Sequence, residues 1–165
     1  MKHSFRNIAI GVLSMTSFVS CQHLPFLGKY QSVSPEGWDS RDTLVFELPV
    51  TQNDVIRRMN VTVGIRTISN FKYKKIGLLV THKNDSNAVL SKDTVMLSVF
   101  DDEGKPTSTG FLFHSTTSTI NHPITILSYA KEKIEITHLM KMNNLDGIYD
   151  VGIELNDIAS TPTAK

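Results

Sequence analysis

The residue with the most distinctive chemistry in this sequence is Cys21, the only cysteine among 165 residues. A single thiol excludes an intramolecular disulfide framework and a cysteine-rich zinc site. It leaves a nucleophile or a point of acylation. The six histidines are His3, His23, His82, His114, His122 and His138. None stands four residues from another and none forms an H-x-H step, so no zinc spacing is visible. His114 and His122 could approach only across a hairpin, and surface positions are expected for both. The acidic run Asp101-Asp102-Glu103-Gly104 lacks the alternating ligands and closing bidentate Glu of a calcium loop, and reads as a solvated turn. No G-x-S-x-G, phosphate-binding or dinucleotide glycine loop is present. Lys72, Lys74 and Lys75 alternate with Phe71 and Tyr73, which fits a lysine-guarded strand edge better than a nucleic-acid reader. The expectation is a non-enzymatic protein with no cofactor, no metal and no nucleic-acid partner.

The position of Cys21 narrows its use. Residues 1–20 begin with Lys2 and Arg6, carry no acidic residue, and run apolar from Ile8 to Val19 with Ser14, Thr16 and Ser17 interposed. An apolar run of this length falls well short of the ~20 residues that span a bilayer core. It has the anatomy of a secretory signal peptide. Phe18-Val19-Ser20-Cys21 resembles the bacterial lipoprotein signal, in which a small residue precedes the cysteine that is acylated and becomes the new N-terminus. Phe18 stands where Leu is commoner. Several acyl chains on Cys21 would hold the protein on a membrane durably, where one chain binds only marginally. Gln22–Lys29, with Pro25 and Gly28, reads as a linker, and the expected boundaries are 1–20 signal, 21–29 linker, 30–156 domain and 157–165 flexible tail.

The elements that follow alternate with period two. Leu44, Phe46, Leu48 and Val50 share one face of Thr43–Val50, and Pro49 makes this an edge strand or a strand end. Val61, Val63 and Ile65 alternate in Asn60–Thr67; Ile76, Leu78 and Val80 in Ile76–Lys83; Val95, Leu97 and Val99 in Thr94–Phe100. Further strands are expected at Gly110–His114, Ile124–Tyr129, Lys133–Met140 and Val151–Leu155, with Ser115–Thr119 a short loop. Turn signals separate them, among them Asn84-Asp85-Ser86-Asn87 and Asp146-Gly147. Asn53–Met59 offers one helical turn at most. The pattern predicts an all-β fold, an antiparallel β-sandwich of about 7–8 strands. With 40% hydrophobic residues and a formal charge of +1, falling to −1 when Lys2 and Arg6 leave with the signal, the chain can build a core. It is no bulk polycation.

Two clusters stand out. Pro35-Glu36-Gly37-Trp38 sets the only Trp before the first strand, where it can close one end of the core with its indole N–H on a loop carbonyl, or sit exposed as a contact. In Leu145-Asp146-Gly147-Ile148-Tyr149-Asp150-Val151-Gly152-Ile153, Asp150 interrupts an apolar run and can accept backbone N–H bonds to pin a loop.

The order of these blocks resembles the gliding-motility lipoprotein GldH family. The points of contact are Cys21; Glu36-Gly37-Trp38; Asp42-Thr43-Leu44 with Phe46 and Pro49; Asp93-Thr94-Val95; Met140-Lys141; and the block from Leu145 to Ile153. The chain departs where Pro106 and Ser108 replace the Trp and inner Gly of the family's Gly-x-Trp-x-Gly-x-Gly turn, and where Lys141 replaces Arg, a change that loses bidentate bonding. The resemblance implies a non-enzymatic envelope lipoprotein linked to gliding and type IX secretion, whether or not the cell glides. Its partners would be the bilayer, through acylated Cys21, and other motility or secretion proteins. Trp38, Met140, Lys141 and Asp150 are the candidate structural or interaction residues. No acidic pair follows Cys21 of the kind that resembles a surface-export signal, which favours the periplasmic side. The rivals are a glycan-binding module using Trp38, Tyr73 or Tyr149, and a hydrolase, which would need a buried polar triad.

Overall fold

The computed structural model describes residues 26–50, 56–108, 112–127 and 130–158. The expected signal, Cys21 and most of the expected tail lie outside them. Eleven strands are described, and each pairing between them is antiparallel. One sheet, here sheet A, has the order β1 (Phe26–Ser32), β11 (Ile148–Asp157), β4 (Ile56–Ile68), β7 (Phe113–Thr119), with β8 (Ile124–Leu127) on the first residues of β4. Sheet C runs β3 (Leu44–Glu47), β9 (Glu132–His138), β5 (Lys75–Asn84), β6 (Val89–Ser98). A short ribbon, sheet B, joins β2 (Trp38–Asp39) to β10 (Asn144–Leu145).

The all-β sandwich is what the alternation dictates. Val61, Val63 and Ile65 of β4 and Val151, Ile153 and Leu155 of β11 face Phe46, Ile76, Leu78, Leu97, Ile134 and Ile136 of sheet C, all almost fully buried. Each such side chain contributes roughly 1.5–3 kcal/mol by leaving water. β3 is an edge strand of sheet C and ends before Pro49.

Four local expectations are corrected. Phe26–Ser32 forms β1, so the linker does not extend to Lys29: Lys29 pairs with Ile153 and Tyr30 with Gly152. Ser115–Thr119 is not a loop. It belongs to β7, pairing from Arg66↔Ser115 to Thr62↔Thr119, because β-branched Thr suits a half-exposed strand. Residues 56–59 form no helical turn: the ladder Ile56↔Leu127 to Met59↔Ile124 extends β4. Phe71–Lys74 lies in the connection before β5 and not along a strand edge. There Phe71 is buried against Tyr73, and Lys74 Nζ donates to the Asp102 carbonyl at 2.9 Å.

The strand directions define two ends. At one lie Phe26 opposite Leu155, Met59 opposite Asp157, and Asn84 opposite Glu132. At the other lie Ser32 opposite Asp150, Ile68 opposite Phe113, Leu78 opposite His138, and the β2/β10 ribbon.

Candidate interaction surface

At the ribbon end, the two sequence clusters meet. Trp38 pairs with Leu145, and both side chains are buried to within 1% exposure. Trp38 Nε1 donates to the Asp42 carbonyl at 3.0 Å, and its own carbonyl accepts from His138 Nε2 at 3.0 Å. His138 Nδ1 in turn accepts from the Met140 backbone N–H at 3.3 Å, and the Trp38 and His138 rings meet edge to face at 5.3 Å. A carbonyl on one nitrogen and an N–H on the other select the neutral Nε2–H tautomer. Burial holds His138 below the usual imidazole range, against the pull of the Trp38 carbonyl and Asp39. Gly37 turns the chain at φ +110° with the Asn144 amide packed against it, and that amide donates to the Glu36 carbonyl. Asp39 is gripped by Arg41 through Nε at 3.0 Å and Nη2 at 2.7 Å, which pulls its carboxyl well below the carboxylate range.

Next to this latch, the outer face of sheet A carries a second cluster. Asp150 is 2% exposed, yet it lies on the outward face, opposite Arg66. Arg66 Nε donates to Asp150 Oδ1 at 2.7 Å and Nη2 to Oδ2, a bidentate pair that raises the Arg66 pKa. The guanidinium sits 5.0 Å from the Tyr30 ring centre and 5.6 Å from that of Tyr149. Tyr149 and Phe113 rings lie 4.6 Å apart at 38°. Tyr30 lies flat because Gly152 and Gly64 beneath it have no side chains: a Cβ at Gly152 would come within 2.6 Å of the ring, and one at Gly64 within 2.5 Å of its hydroxyl. Burial first, and the Asp150 carboxylate second, push the Tyr30 hydroxyl up, against the opposing pull of Arg66. Tyr30, Ile68, Phe113 and Tyr149 stay exposed, which gives the face rigid aromatic area around one oriented cation.

Of the residues singled out in the sequence, Trp38 and Met140 therefore belong to the latch, Met140 packing part-buried against the core, while Lys141 beside them is exposed. Asp150 accepts a guanidinium where backbone N–H partners were expected. Arg66, Tyr30 and Phe113 escaped sequence reasoning. The signal that could have found them was glycine inside two alternating strands, at Gly64 and Gly152, where a close approach over the backbone is the usual reason.

Elsewhere the histidines separate. His114 does not sit on the surface: it is buried on the inner side of β7, its ring 5.9 Å from that of Phe100, because strand register turns it inward. His122 is exposed, 3.8 Å from Asp93. His82 Nε2 and Glu132 Oε2 form a buried pair at 2.6 Å, and Glu132 Oε1 accepts from the Leu127 N–H at 3.2 Å. Among the described residues, no three His, Cys, Asp or Glu side chains gather closely enough to hold a metal ion. The Asp101–Pro106 turn is closed by Asp101 Oδ1 on the Lys105 N–H at 2.8 Å and by the Phe100↔Pro106 bridge. Among the described residues no helix is long and apolar enough to cross a membrane.

Against known proteins, the sequence model of a family described as GldH lipoprotein matches residues 26–155. No curated protein matches. Among solved structures, the chain is similar to dimeric latent PorU from Porphyromonas gingivalis at 10% identity and a TM-score of 0.38, over 79% of this chain and 12% of that one. It is also similar to Eiger TNF from S. frugiperda at 11% identity and a TM-score of 0.28, over 86% of this chain and 99% of that one.

Proposed function

Because the chain belongs to the GldH lipoprotein family, a family of membrane-anchored envelope lipoproteins, we propose that it is a non-catalytic component of the gliding or type IX secretion machinery. It is tethered through acylated Cys21, faces the periplasm, and engages a protein partner with the ribbon end. The observation that carries this reading is the aromatic and arginine platform of Tyr30, Arg66, Phe113 and Tyr149, fixed by the buried Asp150 carboxylate. Aromatic residues and Arg are the side chains that anchor protein interfaces, and pre-ordering them lowers the entropy lost on docking. A tether adds to this by making partner encounter nearly intramolecular.

A glycan is the weaker reading. Of its three candidates, Trp38 is buried and Tyr73 is part-buried against the core, and the exposed Tyr149 has its ring turned 38° from that of Phe113 beside it.

The test is complementation of a deletion strain, scored by spreading or, in a non-motile cell, by release of secreted cargo. Cys21→Ala is expected to give a folded, released protein that restores nothing, and Tyr149→Ala an anchored one that restores little and loses its partner in crosslinked envelopes. Full rescue by the soluble Cys21→Ala form would overturn the tethered reading, and full rescue by Tyr149→Ala would remove the platform from it.

A further inference from the structure

We infer that the end of the sandwich opposite the ribbon rests in the headgroup layer of the bilayer, seated on Ile56, Val50, Val89 and Leu90. The inference rests on the reading that Cys21 carries the lipid.

Its first support is the length of the tether. From Cys21 to Phe26 the chain has five residue steps, which reach about 17 Å when fully extended. Phe26 stands opposite Leu155, and Leu155 opposite Val61. From that level β4 continues five more residues, to Ile56, along the direction in which β1 leads back toward Cys21. Five strand residues rise about 17 Å. The tip of β4 therefore projects beyond the start of β1 by as much as the tether can reach. With the strands upright, Ile56 stands at the level of the acylated cysteine. Any bend in the tether brings it lower. The domain has no slack with which to stand clear of the membrane.

The second support is what that end exposes. Ile56 is 67% exposed, Val50 52%, Leu90 50% and Val89 49%. They share one end by register and by common neighbours. Ile56 pairs with Leu127 and Val89 with Lys83, while Leu127 and Leu90 line one depression beside Asn84, Lys131 and Glu132, which also line the one that holds Val50. These are all aliphatic, in contrast to the aromatic platform at the far end. Aliphatic side chains at the tip of a lipid-tethered domain gain free energy by entering the acyl boundary.

Charge does not select the lipid. Arg57, Arg58 and Lys131 at this end stand with Asp157, Asp85 and Glu47, and Arg57 is paired to Asp157 at 3.5 Å. Seating is therefore expected on a zwitterionic bilayer as well as on an anionic one.

The experiment uses the full lipidated protein, purified and placed in phosphatidylcholine vesicles, with an environment-sensitive dye on Ile56→Cys, on Leu90→Cys as a second probe of the same end, or on Leu139→Cys at the far end. The expected result is dye emission shifted to the blue at 56 and 90, and quenched severalfold more by spin-labelled lipids there than at 139. Equal quenching by aqueous iodide at all three positions, on protein that floats with the vesicles, would overturn the seating and leave the anchor standing. A blue shift at 56 without lipid quenching would assign the surface to a second copy of the chain and overturn it equally. Failure to float would overturn the anchor and the seating together.

Discussion

Each end of the sandwich is closed by a buried histidine on the inner face of sheet C, and the two are held by different chemistry. At the β4-tip end, His82 of β5 meets the carboxylate of Glu132 at 2.6 Å, beneath a depression of about 340 Å³ edged by Asn84, Asp85 and Lys131. At the ribbon end, His138 of β9 meets only neutral partners, the Trp38 carbonyl and the Met140 N–H, beneath an aromatic cap. Each end draws its strength from a different source. The first is a buried acid–base pair, costly to break because either partner alone is stranded in a dry site. The second is a chain of hydrogen bonds stitched through backbone groups, and it holds together two stretches about 100 residues apart in sequence: Trp38 to Asp42, and His138 to Leu145.

Breaking the first end has the largest expected effect. Glu132→Ala strands the His82 imidazole and the Leu127 N–H, and should lower stability by about 3 kcal/mol, near the lower end for dismantling a buried pair. Glu132→Gln, which keeps an acceptor and adds a donor, should recover part of that loss. Thermal unfolding of both variants beside the parent checks the claim. A melting temperature for Glu132→Ala within a degree of the parent would mean that water or relaxation satisfies this end, and the contrast with His138 would lose its basis.

The two ends were unequally legible in the sequence. The ribbon end announced itself through rare residues: a single Trp beside Glu36-Gly37, and Asp146-Gly147 leading into the last strand. What stayed hidden was that these segments pair with one another, since register between residues about 100 apart leaves no local trace. The β4-tip end gave no signal, because His82 and Glu132 each fall at an inward position of an ordinary alternating strand. The core was readable throughout, as period-two patterning directly encodes which side chains face inward. β1 was missed because Pro25 and Gly28 mimic a linker, although Gly28 only flanks the Tyr30 ring within the strand. Arg66 was missed because an arginine at an outward strand position is unremarkable until its cross-strand neighbour is known to be a buried carboxylate.

A smaller effect sharpens the contrast at the outer face of sheet A. Gly152→Ala drives a methyl group into the Tyr30 ring at 2.6 Å, so the ring must lift and lose its place beneath Arg66. The expected loss is about 1–2 kcal/mol in chemical denaturation, typical of overpacking. Gly64→Ala should cost less, because there the new atom meets the Tyr30 hydroxyl, the far end of a side chain that can swing outward. In the Tyr30→Ala background the Gly152→Ala loss should largely vanish, since the clash and its victim are the same pair. If the loss persists undiminished, the glycine serves the strand backbone and not the platform.

The smallest effect concerns pH and His138. Burial lowers its pKa in the folded protein below the ordinary value of about 6.5 that it has in the unfolded chain. Between those two values the unfolded state binds the proton and the folded state does not, so stability rises with pH across that window. The contribution of this residue is fully present above about pH 6.5 and is lost as pH falls through the folded value. The hydrogen bonding runs the same way as burial: a proton on Nδ1 would face the Met140 N–H that this nitrogen now accepts from. His138→Gln keeps a donor for the Trp38 carbonyl but does not titrate. It should be somewhat less stable than the parent at pH 8, and the gap should narrow as the pH is lowered below 6.5. Denaturant midpoints at several pH values measure it. A gap that stays constant would show that the fold leaves the His138 pKa where it is in the unfolded chain, and one that widens in acid would show that the fold favours the charged ring; either would mean that the neutral latch is wrongly drawn.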